Sequence, residues 1–147
     1  MNVIQKMVTA AALLLNVVTM TTARTTKTVT IRVVETSDVH GCFFPYDFIN
    51  QKAKEGTLAR VSTYVKELRK TYGDRLVLLD NGDILQGQPL CYLSNFVMTD
   101  EENIAASVIN YMGYDAETIG NHDVETGHAV YDKWISEVQC SRLGANI

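Results

Sequence analysis

The chain has 147 residues, of which 46% are hydrophobic and 20% are charged. These proportions are typical of one globular domain and exclude a disordered chain. The net charge of −4 argues against a broad basic surface for a nucleic-acid polymer.

The first 23 residues have the pattern of a secretory signal peptide. A short stretch with one Lys, residues 1–6, precedes an apolar run over residues 7–20, and residues 21–23 are small enough for cleavage. The apolar run is short for a membrane span. We therefore expect residues 24–147 to be secreted or periplasmic, with no stable membrane anchor after cleavage. An uncleaved amphipathic or buried helix is the alternative.

The cysteine content gives little indication of a disulfide framework. Export places the chain in an oxidising compartment, where disulfides are permitted. Cys42, Cys91 and Cys140 are odd in number, so at least one is unpaired within the chain. We favour buried free thiols, and a partner beyond the chain is the alternative.

The remaining sequence alternates between strand and helix patterns. Runs rich in β-branched or aliphatic residues predict strands, and apolar residues at helical spacing predict helices. Thr99-Asp100-Glu101-Glu102 has the capping-box pattern, so we expect it to begin a helix that ends at Gly113. In chain order we predict a strand at 28–37, a helix at 57–72, a strand at 75–80, the helix after Thr99, a strand at 115–119, a helix at 126–138 and a strand at 142–147.

This order predicts an α/β fold with mostly parallel strands and right-handed crossover helices. The apolar run of the second strand suits a strand that is buried on both faces. Because the last predicted strand has no closing helix, the chain looks truncated. A natural small domain is the alternative.

Residues suited to metal binding follow the first three predicted strands. Asp38 and His40 follow the first strand, Asp83 follows the second, and Asn121 follows the third. The carboxyl ends of parallel strands share one edge of a sheet, so we expect these side chains to converge. In extended backbone, Asp38 and His40 would point to the same side. Carboxylate, amide and imidazole groups are suitable ligands for divalent metals, although each stretch alone could be a polar turn.

Two further choices concern the acidic residues of these stretches. We favour Asp83 over Asp80 as a ligand, since we place Asp80 inside the second strand, and one central carboxylate can bridge two ions. His122 could stabilise a phosphoryl transition state or protonate the leaving oxygen, and either Asp123 or Glu125 could orient its imidazole. For the third histidine, His128, we expect a surface or capping role.

These stretches resemble the calcineurin-like metallophosphoesterase superfamily, whose pattern is D-x-H, then G-D, then G-N-H-[DE], each after a strand. Residues 35–41 and 79–90 are most similar to the secreted 2′,3′-cyclic-nucleotide 2′-phosphodiesterase/3′-nucleotidases. Residues 103–127 are similar both to that group and to the secreted 5′-nucleotidases. The resemblance covers nearly all of residues 24–147.

The resemblance implies metal-dependent hydrolysis of phosphate esters of nucleotides by an α/β sandwich. It implies two divalent ions, whether Mn, Zn, Fe or Co. Asp38 and His40 would bind the first ion, Asp83 would bridge both ions, and Asn121 would bind the second. His122 would be the transition-state acid, Asp123 would fill the usual acidic position, and Glu125 would orient the histidine.

The chain departs from the family pattern after these stretches. The resemblance calls for a further His, a G-H-x-H stretch and a C-terminal domain with aromatic residues that stack on the nucleoside, and the sequence contains none of them. We therefore expect residues 24–147 to be the N-terminal part of the metallophosphoesterase domain. The alternatives are an inactive fragment, a non-enzymatic half-domain, and an exported phosphoesterase that acts on a non-nucleotide substrate.

Overall fold

The computed structural model describes residues 26–144, so the predicted signal peptide lies outside the described residues. The strands are β1 (Arg32–Thr36), β2 (Tyr46–Asp47), β3 (Lys52–Ala53), β4 (Leu76–Asp80), β5 (Ala116–Thr118) and β6 (Ser141–Leu143). Strands β1, β4, β5 and β6 form a parallel sheet in that order. Strands β2 and β3 form a separate antiparallel pair.

Five α-helices accompany the strands in the described part of the chain. They are α1 (Leu58–Tyr72), α2 (Pro89–Tyr92), α3 (Ile104–Met112), α4 (Asn121–Val124) and α5 (His128–Glu137). A 3₁₀ turn, Gly73–Arg75, precedes β4, and a π-helical turn, Leu93–Val97, follows α2. The three long helices and the parallel sheet confirm the predicted α/β class. The short helices α2 and α4 and the β2–β3 pair were not predicted, because such short elements do not contain a full hydrophobic period.

The helices cover one face of the sheet. Strand order follows chain order, so successive right-handed crossovers place every connecting helix on the same side. On the covered face Leu78 is fully buried, and it belongs to one core with Val65, Ile109 and Trp134. On the other face Val33 is 57% exposed. The prediction that β4 is buried on both faces is therefore wrong, since its buried residues alternate with partly exposed ones.

The start of α3 differs from the predicted capping box. Helix α3 begins at Ile104, and the side chain of Asn103 accepts hydrogen bonds from the backbone N–H groups of Ala105 and Ala106. Gly113 ends the helix as predicted, with a left-handed backbone (φ 65°). Within residues 26–144 no helix combines the length and the apolar character needed to cross a membrane.

Candidate metal centre

Backbone hydrogen bonds join the loops that follow β1 and β4. The N–H of Asp38 donates to the carbonyl of Gly82 (3.1 Å), and the N–H of His40 donates to the carbonyl of Asp83 (2.9 Å). One ligand atom each from Asp38, His40 and Asp83 lies within 4.8 Å of the other two. The structure therefore brings together the three titratable residues that the sequence analysis selected as metal ligands.

The backbone at these three residues is left-handed. The φ angles are 54° at Asp38, 48° at His40 and 60° at Asp83. In the described part of the chain only one other non-glycine residue, Gln51, has a positive φ. The expected extended backbone between Asp38 and His40 is wrong, because left-handed residues turn the loop so that both side chains face Asp83. Strained backbone of this kind is concentrated at functional sites.

Two glycines allow the loop after β5 to contact the loop after β4. A Cβ atom at Gly82 (φ 88°) would lie 2.5 Å from the backbone nitrogen of Gly120. A Cβ atom at Gly120 would lie 2.0 Å from the Oδ1 atom of Asp83. Neither position can hold a side chain at this separation. The close approach places α4, which begins at Asn121, beside Asp83, and the N–H of His122 donates to Asp83 Oδ1 (2.9 Å).

A third glycine shapes the other side of the centre. This glycine, Gly87, lies in the loop between β4 and α2. Gly87 has φ 119°, and a Cβ atom there would lie 2.6 Å from the carbonyl oxygen of His40. The loop therefore packs directly on the backbone of His40.

The two imidazoles lie side by side at this edge of the sheet. The ring centroids of His40 and His122 are 5.3 Å apart in an edge-to-face arrangement. His122 Nδ1 lies 2.8 Å from Glu125 Oε2, and this hydrogen bond raises the pKa of His122. His128, by contrast, is exposed at the start of α5, where it pairs with Asp132.

The acidic candidates occupy different environments. Glu125 contacts the His122 imidazole, whereas the carboxylate of Asp123 is fully buried and accepts hydrogen bonds from backbone N–H groups instead. Asp80 ends β4, as expected, and its carboxylate accepts hydrogen bonds from the Gly82 N–H and the Thr36 hydroxyl. Glu117, which was not among the predicted site residues, is buried beside Asp80 on β5. No local pattern predicts this burial, because a glutamate is rarely buried without a charged partner.

The donor set suits a divalent cation. Asp38 is largely exposed, His40 is partly exposed and Asp83 is buried, so the group opens to solvent on one side. Among residues 26–144, neither Asp38 nor Asp83 forms an ion pair with a Lys or Arg. Two carboxylates and an imidazole that have no cationic partner form a suitable ligand set for first-row metals and magnesium.

Sequence comparison with known proteins tests the resemblance to the metallophosphoesterases. No family model matches the chain. The trifunctional nucleotide phosphoesterase protein YfkN of Bacillus subtilis is 30% identical over 124 residues, which cover 80% of this chain and 8% of that protein. The 2′,3′-cyclic-nucleotide 2′-phosphodiesterase/3′-nucleotidase of Yersinia enterocolitica is 28% identical over 140 residues, which cover 92% of this chain and 21% of that protein.

Solved structures share the fold. The crystal structure of the calcineurin-like phosphoesterase YfkN from Bacillus subtilis has a TM-score of 0.68 at 27% identity, covering 77% of this chain and 36% of that one. A proposed 5′-nucleotidase from Staphylococcus aureus has a TM-score of 0.69 at 30% identity, covering 79% of this chain and 22% of that one.

These matches identify the chain as a relative of the calcineurin-like phosphoesterases and confirm the resemblance inferred from its sequence. Its particular relatives are the 5′-nucleotidases and the 2′,3′-cyclic-nucleotide 2′-phosphodiesterase/3′-nucleotidases. The chain spans 8% and 21% of the length of the two curated relatives described above. It matches the N-terminal part of these longer proteins.

Proposed function

We propose that Asp38, His40, Asp83 and Asn121 hold divalent metal ions, and that the whole protein hydrolyses phosphate esters of nucleotides. The observation that carries this proposal is the cluster of Asp38, His40 and Asp83, whose ligand atoms lie within 4.8 Å of one another. All three residues have a left-handed backbone. Such strain persists only where the surrounding structure enforces it, which is expected of a preorganised site.

The roles of the side chains follow from their positions. Divalent ions bound by these residues would neutralise phosphate charge and activate water. His122 would donate a proton to the leaving oxygen or stabilise charge on the phosphoryl oxygens. Glu125 would keep the His122 imidazole charged and oriented through the 2.8 Å contact. Asp83 would serve as the bridging ligand between two ions, as the resemblance implies.

The relatives support a nucleotide as substrate. Their names include nucleotide phosphoesterase, 5′-nucleotidase and cyclic-nucleotide phosphodiesterase. We propose Mn²⁺, Zn²⁺, Fe²⁺ or Co²⁺ as the metal, since carboxylate, amide and imidazole ligands accept all four. We further propose that residues 1–23 are a signal peptide, so that residues 24–147 form an exported, partial metallophosphoesterase domain.

Three matched variants test this function. We expect Asp83→Asn to lose bound metal, measured by mass-spectrometric metal analysis after equilibration with Mn²⁺. We expect His122→Gln to retain the metal but to lower phosphate release by about 100-fold or more, since general acid catalysis typically contributes that much. His128→Gln is the control, because that exposed imidazole lies on a different helix. Activity is to be measured in the whole protein with a 5′-nucleotide, a 3′-nucleotide, a 2′,3′-cyclic nucleotide and p-nitrophenyl phosphate.

The results distinguish the metal site, the role of His122 and the choice of a nucleotide substrate. The proposal fails if the wild-type protein binds no divalent ion, or if His122→Gln releases phosphate at the wild-type rate. Hydrolysis of p-nitrophenyl phosphate without hydrolysis of any nucleotide would retain the phosphoesterase and exclude the nucleotide substrate.

A further inference from the structure

The carboxylate of Asp123 is the acceptor for four backbone N–H groups at the centre of the site. Its Oδ2 atom accepts from Asp83 (2.8 Å) and Gly120 (2.9 Å). Its Oδ1 atom accepts from Ile84 (2.9 Å) and Leu85 (2.9 Å). The residue is fully buried, and among residues 26–144 it forms no ion pair with a Lys, Arg or His. Backbone dipoles therefore compensate its charge.

Three of these donors are consecutive residues, from Asp83 to Leu85. Successive N–H groups that converge in this way, with a left-handed residue among them, form an anion-binding concavity of the backbone. The left-handed residue is Asp83, with φ 60°. An anion inside the concavity stabilises this backbone conformation, because it offsets the repulsion among the three N–H groups.

We propose that Asp123 is a positioning residue of the metal centre: its carboxylate holds the loop of Asp83 in the left-handed conformation that presents the Asp83 side chain to the metal. The part of this inference that concerns metal binding rests on the proposed function. The part that concerns the conformation of the Asp83 loop does not depend on it. Through Gly120 the same carboxylate also fixes the loop that carries Asn121 and His122. One buried anion thus sets the relative position of the loops after β4 and β5.

The hydrogen-bond geometry predicts which contacts Asp123→Asn would lose. Each oxygen of the wild-type carboxylate accepts two N–H bonds. In either orientation of an asparagine amide, its NH₂ group would face two N–H donors, so two of the four bonds would be lost. The contact between His122 and Glu125 does not involve Asp123 and should remain.

The experiment compares Mn²⁺ affinity in the wild-type protein, Asp123→Asn and the control Asp132→Asn, by electron paramagnetic resonance of free Mn²⁺. Asp132 lies exposed on α5, away from the centre. We expect Asp123→Asn to bind Mn²⁺ about 10–100-fold more weakly, as is typical when a residue that orients a ligand is changed. We expect Asp132→Asn to bind like the wild type. An affinity of Asp123→Asn within about twofold of the wild type would overturn the inference.

A second measurement does not depend on the metal or on the folding of the variant. In the metal-free wild-type protein, we expect the amides of residues 83–85 to exchange slowly with deuterium, although they lie outside the helices and strands. Rapid exchange of these amides in the wild type would overturn the positioning role. A wild-type protein with protected amides and no Mn²⁺ affinity would instead refute the proposed metal site and leave the loop geometry standing.

Discussion

Two buried carboxyl groups lie side by side on neighbouring strands of the sheet. Asp80 and Glu117 are register partners in β4 and β5, and they are 2% and 1% exposed. Burial raises the pKa of Asp80 to about 6 and that of Glu117 to about 8. Asp80 accepts two hydrogen bonds, whereas neither carboxylate oxygen of Glu117 has a hydrogen-bond partner. Glu117 is therefore protonated in the folded protein at neutral pH.

This environment predicts how stability depends on pH. The unfolded chain releases the Glu117 proton near the ordinary pKa of 4.5, and the folded protein releases it near a pKa of about 8. Between these values the folded state binds one more proton, so the free energy of unfolding falls as pH rises, by up to ~1.4 kcal/mol per pH unit. The stabilisation is complete below pH 4.5 and is lost as pH rises through 8.

We expect Glu117→Gln to have wild-type stability near pH 4.5 and to exceed the wild type at pH 8 by a few kcal/mol, roughly, in urea unfolding. The exposed Glu35 on β1 provides the control, and Glu35→Gln should follow the wild-type pH profile. Identical pH profiles for Glu117→Gln and the wild type would show that Glu117 is ionised or paired in solution.

At the level of elements, the start of α3 shows how two similar capping patterns compete. Thr99 and Asn103 both precede the apolar helix, and both residue types are good N-caps. In the structure Asn103 is buried: its side-chain oxygen caps the helix and its side-chain NH₂ donates to Asn95. Asn95 in turn donates to the carbonyl of Leu85, so the cap connects α3 with the loop that follows β4.

We expect Asn103→Ala to lower the free energy of unfolding by about 1–3 kcal/mol, because it removes the cap and leaves the buried Asn95 without one partner. Thr99→Ala tests the cap that the sequence predicted. It should change stability by less than about 0.5 kcal/mol, since the Thr99 side chain does not cap the helix. Urea unfolding of both variants gives the comparison, and a larger loss for Thr99→Ala would contradict the observed helix start.

At the level of the whole molecule, the sheet has helices on one face only. Sequential strand order with right-handed crossovers requires this arrangement in residues 26–144. The helix-covered face contains the core, and the opposite face leaves Val33 on β1 and Leu143 on β6 more than half exposed. The buried apolar side chains that stabilise the described fold therefore lie mainly on one face of its sheet.

Two substitutions on neighbouring strands measure this asymmetry. Leu78→Ala, on the covered face, should cost about 2–5 kcal/mol, which is the usual range for a buried leucine. Val33→Ala, on the other face, should cost less than about 0.5 kcal/mol, since that side chain is 57% exposed. Chemical unfolding monitored by circular dichroism gives both values. A large cost at Val33 would mean that the open face is covered in solution.

Local patterns in the sequence were sufficient for the order of the four parallel strands and the three long helices, and for the bounds of α1 and β4 within about a residue. They were also sufficient to select Asp38, His40 and Asp83, which lie together in the structure. Hydrophobic period and strand-end motifs are properties of neighbouring residues, so they can be recognised without the fold. The parallel sheet then necessarily brings the ends of β1, β4 and β5 to one edge.

Only the tertiary structure decided the details that join distant segments. It showed the left-handed backbone at Asp38, His40 and Asp83, the contact of His122 with Glu125 rather than Asp123, and the burial of Glu117. The first and the last depend on groups that lie nearby in space but far apart in the chain. Asp123 does not contact the His122 imidazole because its carboxylate accepts hydrogen bonds from the distant residues 83–85. Local sequence patterns do not determine those distances, because packing between loops sets them.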